Sequence, residues 1–124
     1  MNCLSLCDGM SCGQIALKEL GVNINKYYAS EIDKNSIKVT MDNFPNTIQI
    51  GNLYNITEDF LNNIPRIDII MFGFVCRSLS ICCADRPDYN KGLDGVSGMF
   101  YKCADILNWI KNIIIQMLNF YVKM

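Results

Sequence analysis

The stretch Ile67–Ser80, IDIIMFGFVCRSLS, decides how this chain is read. Asp68–Phe72 is a short apolar run between Pro65 and Gly73, the pattern of a buried strand. It delivers Gly73, Phe74, Val75 and Cys76 to its carboxyl end. Open α/β sheets bind ligands outside the carboxyl ends of their strands. A cysteine in that position is a candidate nucleophile, but cysteine is also a common small buried hydrophobe. The local sequence leaves both readings open.

Upstream, Cys3–Leu6 reads as a first strand, and Cys7-Asp8-Gly9-Met10-Ser11-Cys12-Gly13 as a turn of small residues. A helix over Gln14–Leu20 follows, with Ile15, Ala16, Leu17 and Leu20 at helical spacing and Gly21 as its stop. Strand, glycine turn and helix together suit a ligand, because glycine admits close approach and a helix start offers open N–H groups. The G-x-x-x-G spacing alone fits an ordinary tight turn equally well. Tyr27–Ser30 is the second strand and ends at Glu31. Glu31 follows the turn by about 20 residues, where a nucleotide-binding unit places an acid for ribose hydroxyls. An acid opening the next helix is the alternative.

Asp33–Asn43 is expected to be helical, with Ile37, Val39 and Met41 facing inward, until Phe44-Pro45-Asn46 stops it. Thr47–Ile50 reads as a third strand, Thr57 as the cap of a helix over Glu58–Asn62, and Ile67–Phe72 as the fourth strand. Arg77–Ser97 is a long polar segment, of a length that usually carries function. A last helix runs from Met99 to Lys111, with Phe100, Cys103, Ile106, Leu107 and Ile110 on one face. Trp109 and Phe100 are expected to pack in that helix. Strands alternating with helices argue for an α/β fold with a parallel, doubly wound sheet.

The 124 residues bound one domain, half of them apolar, with a net charge of −1. Such a balance excludes a disordered or strongly basic chain, so a nucleic-acid partner needs a local patch or further protein. Asp8 interrupts the apolar start, so no export signal is read, and the protein is expected to be intracellular. Ile106–Val122 is broken by Asn108, Lys111, Asn112, Gln116 and Asn119, which makes it a poor membrane span. The seven cysteines form no paired CxxC sites and there is no histidine, so no metal site is expected and the thiols are read as reduced. Cys3, Cys12 and Cys103 are expected to be buried, and Cys82-Cys83 to lie in the long loop.

LSLCDGMSCGQIALKELG, YYASEID, FGFVCRSLS and KGLDGVSGMFYK, in this order and spacing over residues 3–111, resemble the amino-terminal part of the DNA (cytosine-5) methyltransferases. The resemblance implies a Rossmann-like, S-adenosylmethionine-dependent methyltransferase sheet, truncated here. It implies S-adenosylmethionine as methyl donor and DNA as partner, with the target cytosine swung out of the helix. The family's cofactor loop falls on Asp8, Gly9, Met10, Ser11 and Gly13, and its ribose acid on Glu31, with Ile32 beside it. Asn52, followed by Leu53, stands where the family has an aspartate at the adenine amino group. Its Pro-Cys nucleophile falls on Cys76, with Arg77, Ser80 and Arg86 as substrate and DNA contacts. A thiolate adding at C6 of cytosine makes C5 nucleophilic, which divides one hard step into easier ones.

The departures are specific. Val75 replaces the family's proline, Phe72 a small residue and Cys7 a phenylalanine. Where the family has Glu-Asn-Val, this chain has Phe120-Tyr121-Val122-Lys123-Met124. The later arginine motif, target-recognition region and last cofactor motif have no counterpart here. The expected unit is therefore a partial catalytic domain over residues 1–124, family-like over 1–111 and divergent over 112–124. A family-like NNNPNVKFLLENVKM, written in AT-rich codons and read one base later, yields IIIQMLNFY, the sequence of Ile113–Tyr121. The tail is thus expected to be frameshifted; a genuine apolar helix or strand is the alternative.

Three functions are carried forward. The first is a fragment of a DNA (cytosine-5) methyltransferase acting through Cys76, completed by a second chain that supplies the missing motifs. The second is an inactive remnant that binds S-adenosylmethionine or a partner chain. The third is an α/β nucleotide-binding module of another kind.

Overall fold

The computed structural model describes residues 1–74, 78–79 and 91–122, with side chains through residue 118. Val75, Cys76, Arg77, Ser80, Arg86 and the Cys82-Cys83 pair lie outside the described residues. Strands β1 (Asn2–Leu6), β2 (Lys26–Ser30), β3 (Ile48–Gln49) and β4 (Ile69–Phe72) alternate with helices α1 (Cys12–Glu19), α2 (Lys34–Asn43) and α3 (Glu58–Asn63), and α4 (Met99–Val122) follows. The four strands form one sheet in the order β3-β2-β1-β4. Every pair is parallel, with Cys3 opposite Tyr27 on one side of β1 and opposite Ile69 on the other. This is the expected α/β arrangement, a Rossmann-like sheet.

The period of two along the strands divides the core between the two faces of the sheet. Leu4, Leu6 and Tyr28 enter one cluster, with Leu61 of α3 and Cys103, Ile106 and Ile110 of α4. Cys3, Tyr27 and Ala29 enter the other, with Leu17 of α1. Short local signals set the helix ends. Asp33 caps α2 by accepting from the Ser36 N–H at 2.8 Å, and Thr57 caps α3 by accepting from the Phe60 N–H at 3.1 Å. The hydrogen bonds from Ser36 hold the Asp33 carboxyl below its ordinary value. Gly21, at φ 68, ends α1: its N–H donates to Lys18 O at 3.0 Å and the next N–H, of Val22, to Leu17 O at 2.9 Å. That pair of bonds satisfies carbonyls the helix leaves open.

The structure corrects several expectations. α1 begins at Cys12 rather than Gln14, and Cys12 is exposed rather than buried because it opens the helix on its outer side. β3 keeps only Ile48–Gln49 of the expected Thr47–Ile50. Val39 is 40% exposed, and the inward position on α2 belongs to Thr40, fully buried with its hydroxyl 3.4 Å from Gly9 O. β4 starts at Ile69 and is half-buried rather than buried, with Phe72 42% exposed. It has a neighbour on one side only among the described residues. α4 runs to Val122, past Lys111, because the sequence holds no glycine or proline after Met99 to stop it. Phe100 is exposed and meets the Phe74 ring edge-on at 5.4 Å, whereas Trp109 packs on the core with the Lys102 ammonium 4.6 Å from its ring.

Two glycines are required by close approach. A Cβ on Gly98 would stand 2.5 Å from the Leu93 carbonyl oxygen, which is backbone and has no rotamer to yield. A Cβ on Gly13 would stand 2.5 Å from the Met71 methyl, the free end of a flexible side chain. Gly98→Ala is therefore expected to cost about 2–3 kcal/mol and Gly13→Ala about 1 kcal/mol, measured by urea unfolding.

Candidate functional site

After β1 the chain steps to β2 and β3 on one side, then returns to form β4 on the other. The crevice outside the carboxyl ends of β1 and β4 is thus a topological switch point, where open α/β sheets take their ligands. The turn that leaves β1 there is tightly wound. Cys7, Gly9 and Ser11 all have left-handed backbones, at φ 56, 61 and 60. For Cys7 and Ser11 that conformation costs about 1–2 kcal/mol each, so the surroundings must enforce it.

Two carboxylates do so. Asp8 accepts from the Ser11 hydroxyl on one oxygen and from the Tyr27 hydroxyl, at 2.7 Å, on the other. Its own N–H donates to Ser30 O at 3.1 Å, joining the turn to the end of β2. Glu31 accepts from the Gly9 N–H at 2.7 Å on one oxygen, and from the Ile32 and Asp33 N–H groups at 2.8 and 2.9 Å on the other. Asn52 accepts from the Tyr54 N–H at 3.0 Å and so caps the short turn Leu53–Asn55. The Ser30 hydroxyl donates to Gly51 O at 2.8 Å and draws the end of β3 against β2.

Above these bonds lies a cleft of about 310 Å³. Glu31 and Asn52 give it polar walls, Ile32, Leu53 and Tyr54 apolar ones, and Cys7, Gly73 and Met99 close it on the side of β1, β4 and α4. Of the residues singled out from the sequence, Glu31, Ile32, Asn52 and Leu53 meet in this cleft. Asp8, Gly9 and Ser11 form the turn beneath it, and Ser11 is fully buried. Gly13 faces the sheet, against Met71 and Tyr27. Met10 points away, 55% exposed, into a groove between α1 and α2 shared with Cys12, Ile15 and Val39. Tyr54, Met99 and Tyr27 were not singled out as site residues. The first two reach the cleft only because the Leu53–Asn55 turn and α4 fold over it, and no local pattern signals that.

Among the described residues, the thiols of Cys7, Cys3 and Cys103 are not activated. Burial first, then the neighbouring Cys103 and Glu31, push Cys7 up to about 11. Burial and then Asp8 push Cys3 to about 11, and burial also raises Cys103. Such thiols stay protonated at neutral pH and are poor nucleophiles. Among the described residues no group of His, Cys, Asp and Glu could hold a metal ion. Iodoacetamide at pH 8 is expected to label exposed Cys12 well before Cys3, Cys7 and Cys103, as read by peptide mass spectrometry. The folded pKa of Cys3 and Cys7 lies above the ordinary 9.0, so their contribution to stability is complete below pH 9 and is lost as pH rises through 11. Urea midpoints at pH 8 and pH 11 are expected to fall in that order.

The comparisons with known proteins agree with this geometry. A model of the family "C-5 cytosine-specific DNA methylase" matches residues 1–119. Orphan methyltransferase M.SPBetaI of Bacillus phage SPbeta and the putative type II methyltransferase M.BsuMIIP of Bacillus subtilis strain 168 are each 30% identical to this chain over 107 residues. Orphan methyltransferase M.Phi3TI of Bacillus phage phi3T shows the same identity, 30% over 107 residues. The alignments cover 85% of this chain and 21% of each relative, so the chain spans about a fifth of their length. No helix among the described residues is long and apolar enough to cross a membrane. With a parallel sheet, a cleft at its switch point and a family match over nearly the whole chain, this protein belongs to the C-5 cytosine-specific DNA methylase family.

Proposed function

We propose that this chain is the cofactor-binding part of a DNA (cytosine-5) methyltransferase, with S-adenosylmethionine as its methyl donor and a flipped cytosine as its acceptor. The observation that carries the reading is Glu31 in the cleft at the switch point, its carboxylate held by three backbone N–H groups. A carboxylate oxygen accepts about two hydrogen bonds, so the Glu31 oxygen that takes only the Gly9 N–H retains a site for a ribose hydroxyl. Ile32 and Leu53 offer apolar faces for a purine, and the Asn52 carbonyl an acceptor for its amino group. These residues fit S-adenosylmethionine, which when bound supplies an electrophilic methyl group on sulfur.

Cys76 is the nucleophile in this reading. Its thiolate bonds to C6 of cytosine, and the electron pair displaced makes C5 nucleophilic. After C5 is alkylated it loses its proton, the C6–S bond breaks, and the ring regains its aromaticity. Arg77 and Arg86 supply positive charge that favours the thiolate or grips phosphates, and Ser80 contacts the substrate. The turn residues Asp8, Gly9 and Ser11 shape the cofactor side, whereas Met10 and Gly13 stand away from it. The enzyme acts inside the cell that holds its DNA.

The catalytic domain is partial over residues 1–124, and residues 112–124 derive from a shifted reading frame. In that tail Ile115, Met117 and Leu118 are exposed, whereas Ile113 and Ile114 pack on the core. A second polypeptide supplies the remaining motifs. A second reading keeps cofactor binding without turnover, and Val75 in place of the family's proline favours it, because the loop loses a fixed φ before Cys76.

Calorimetry with S-adenosylhomocysteine tests the cofactor site. The wild-type chain is expected to bind, and Glu31→Gln to bind at least about tenfold more weakly, the loss of charge-assisted bonds to ribose. Tritium transfer from S-adenosylmethionine to DNA tests turnover. The chain alone is expected to give none, because one thiolate lacks most transition-state contacts. Transfer that Cys76→Ser abolishes would show that these residues suffice.

A further inference from the structure

We propose that Tyr27 is a positioning residue for the part of the cofactor beyond the ribose: by donating to Asp8 it locks the Cys7–Ser11 turn on which that part rests. The proposal depends on the cofactor reading above and concerns a residue outside the cleft. Tyr27 lies in β2, 3% exposed, in the core cluster under α1. Its side chain therefore stands on the face of the sheet opposite Tyr28 and the cluster beneath α4.

The hydroxyl of Tyr27 begins a continuous chain of side-chain bonds. It donates to Asp8 at 2.7 Å; Asp8 accepts from the Ser11 hydroxyl on its other oxygen. The Ser11 oxygen accepts from the Gln14 amide at 3.2 Å, and the same amide donates to the Thr47 hydroxyl at 2.8 Å. β2, the turn, α1 and the approach to β3 are joined through one carboxylate. Each Asp8 oxygen thus takes one bond from inside the protein. The Ser11 hydroxyl is bonded there too, and makes no capping bond to the start of α1. Burial raises Tyr27 far above the ordinary phenol value, so the hydroxyl keeps its proton and remains a donor.

The turn meets the ligand side at Cys7, which lines the cleft, at the Asp8 N–H, which donates to Ser30 O, and at Gly9. Gly9 N–H donates to Glu31, the residue placed at the ribose. A ligand whose ribose sits on Glu31 and whose base lies between Ile32 and Leu53 extends its remaining end over the turn. That end is the homocysteine portion of S-adenosylhomocysteine, and adenosine lacks it. A loosened turn should therefore weaken the first ligand and spare the second.

Calorimetry on the full chain tests this with both probes. Tyr27→Phe is expected to weaken S-adenosylhomocysteine about tenfold, the value of one buried hydrogen bond, and adenosine less than about twofold. Asp8→Ala, which also frees the Ser11 hydroxyl, should weaken it at least as much, the double variant should be no worse than Asp8→Ala, and Asp8→Asn, which keeps an oxygen for Tyr27 and an amide for Ser11, should restore binding. Equal losses for both ligands, an additive double variant or no loss at all overturns the proposal. If Tyr27→Phe does not fold, Asp8→Ala against Asp8→Asn decides, because the first breaks the same bond at an exposed-side turn; loss in both variants would mean that Asp8 grips the ligand itself. A wild-type chain that binds neither probe defeats the cofactor reading instead, and the positioning role with it.

Discussion

The hydrogen bonds to the Glu31 carboxylate hold this structure's functional end together. One oxygen takes the Gly9 N–H across from the turn after β1, and the other takes the first N–H groups on the way into α2. The part-buried Gly9 N–H would be costly to leave unmet, whereas the Ile32 and Asp33 N–H groups are exposed to water. Remove the acid and the turn loses its contact with β2 on the cleft side, leaving Asp8 to hold it from the other face. The left-handed residues at Cys7 and Ser11 persist because both carboxylates act on the five residues that contain them.

That division explains why a residue implied as a cofactor contact can stand behind the site. Gly13 has no side chain because α1 must come down onto Met71 and the Tyr27 hydroxyl. This is the role of the helix-packing glycine in a dinucleotide fold, distinct from the glycine that admits a ligand. Gly9 is the opposite case. A Cβ there would meet nothing within 4 Å, and its φ of 61 is the constraint. The two glycines thus answer to different demands, close packing at the start of α1 and backbone conformation in the turn before it.

Much of the fold was legible because it is written in local rules. Asp33 and Thr57 sit where caps are needed, Gly21 where a helix must reverse, and the β1 and β2 runs alternate between the two cores. What was not legible depends on register and on distant chain. Val39 is as apolar as an inward residue should be, yet the angular position over the turn belongs to Thr40, whose small hydroxyl fits against Gly9 O. Tyr27 looks like any strand aromatic until the pairing of β2 with β1 brings it under Asp8. Within the cleft, Glu31 follows from spacing after the turn, whereas Ile32, Asn52 and Leu53 followed only from family resemblance. Tyr54 and Met99 arrive through tertiary folding alone.

The sheet order carries one more consequence. β3-β2-β1-β4 matches the first four places of the 3-2-1-4-5-6 order of doubly wound folds, and in that order β4 is an interior strand. Here β4 is the edge of the described sheet, with Ile69, Ile70 and Met71 only half-covered and Phe72 exposed. An uncovered parallel edge of apolar residues is a liability that soluble proteins normally pair or cover. The composition of β4 is therefore that of a strand suited to two neighbours. The cleft shows the same asymmetry: Glu31, Ile32, Asn52 and Leu53 wall it toward β2 and β3, while toward β4 it is bounded by a bare Gly73 and by Met99. The walls toward β2 and β3 thus adjoin a strand paired on both sides, β2, whereas β4 has one neighbour only among the described residues.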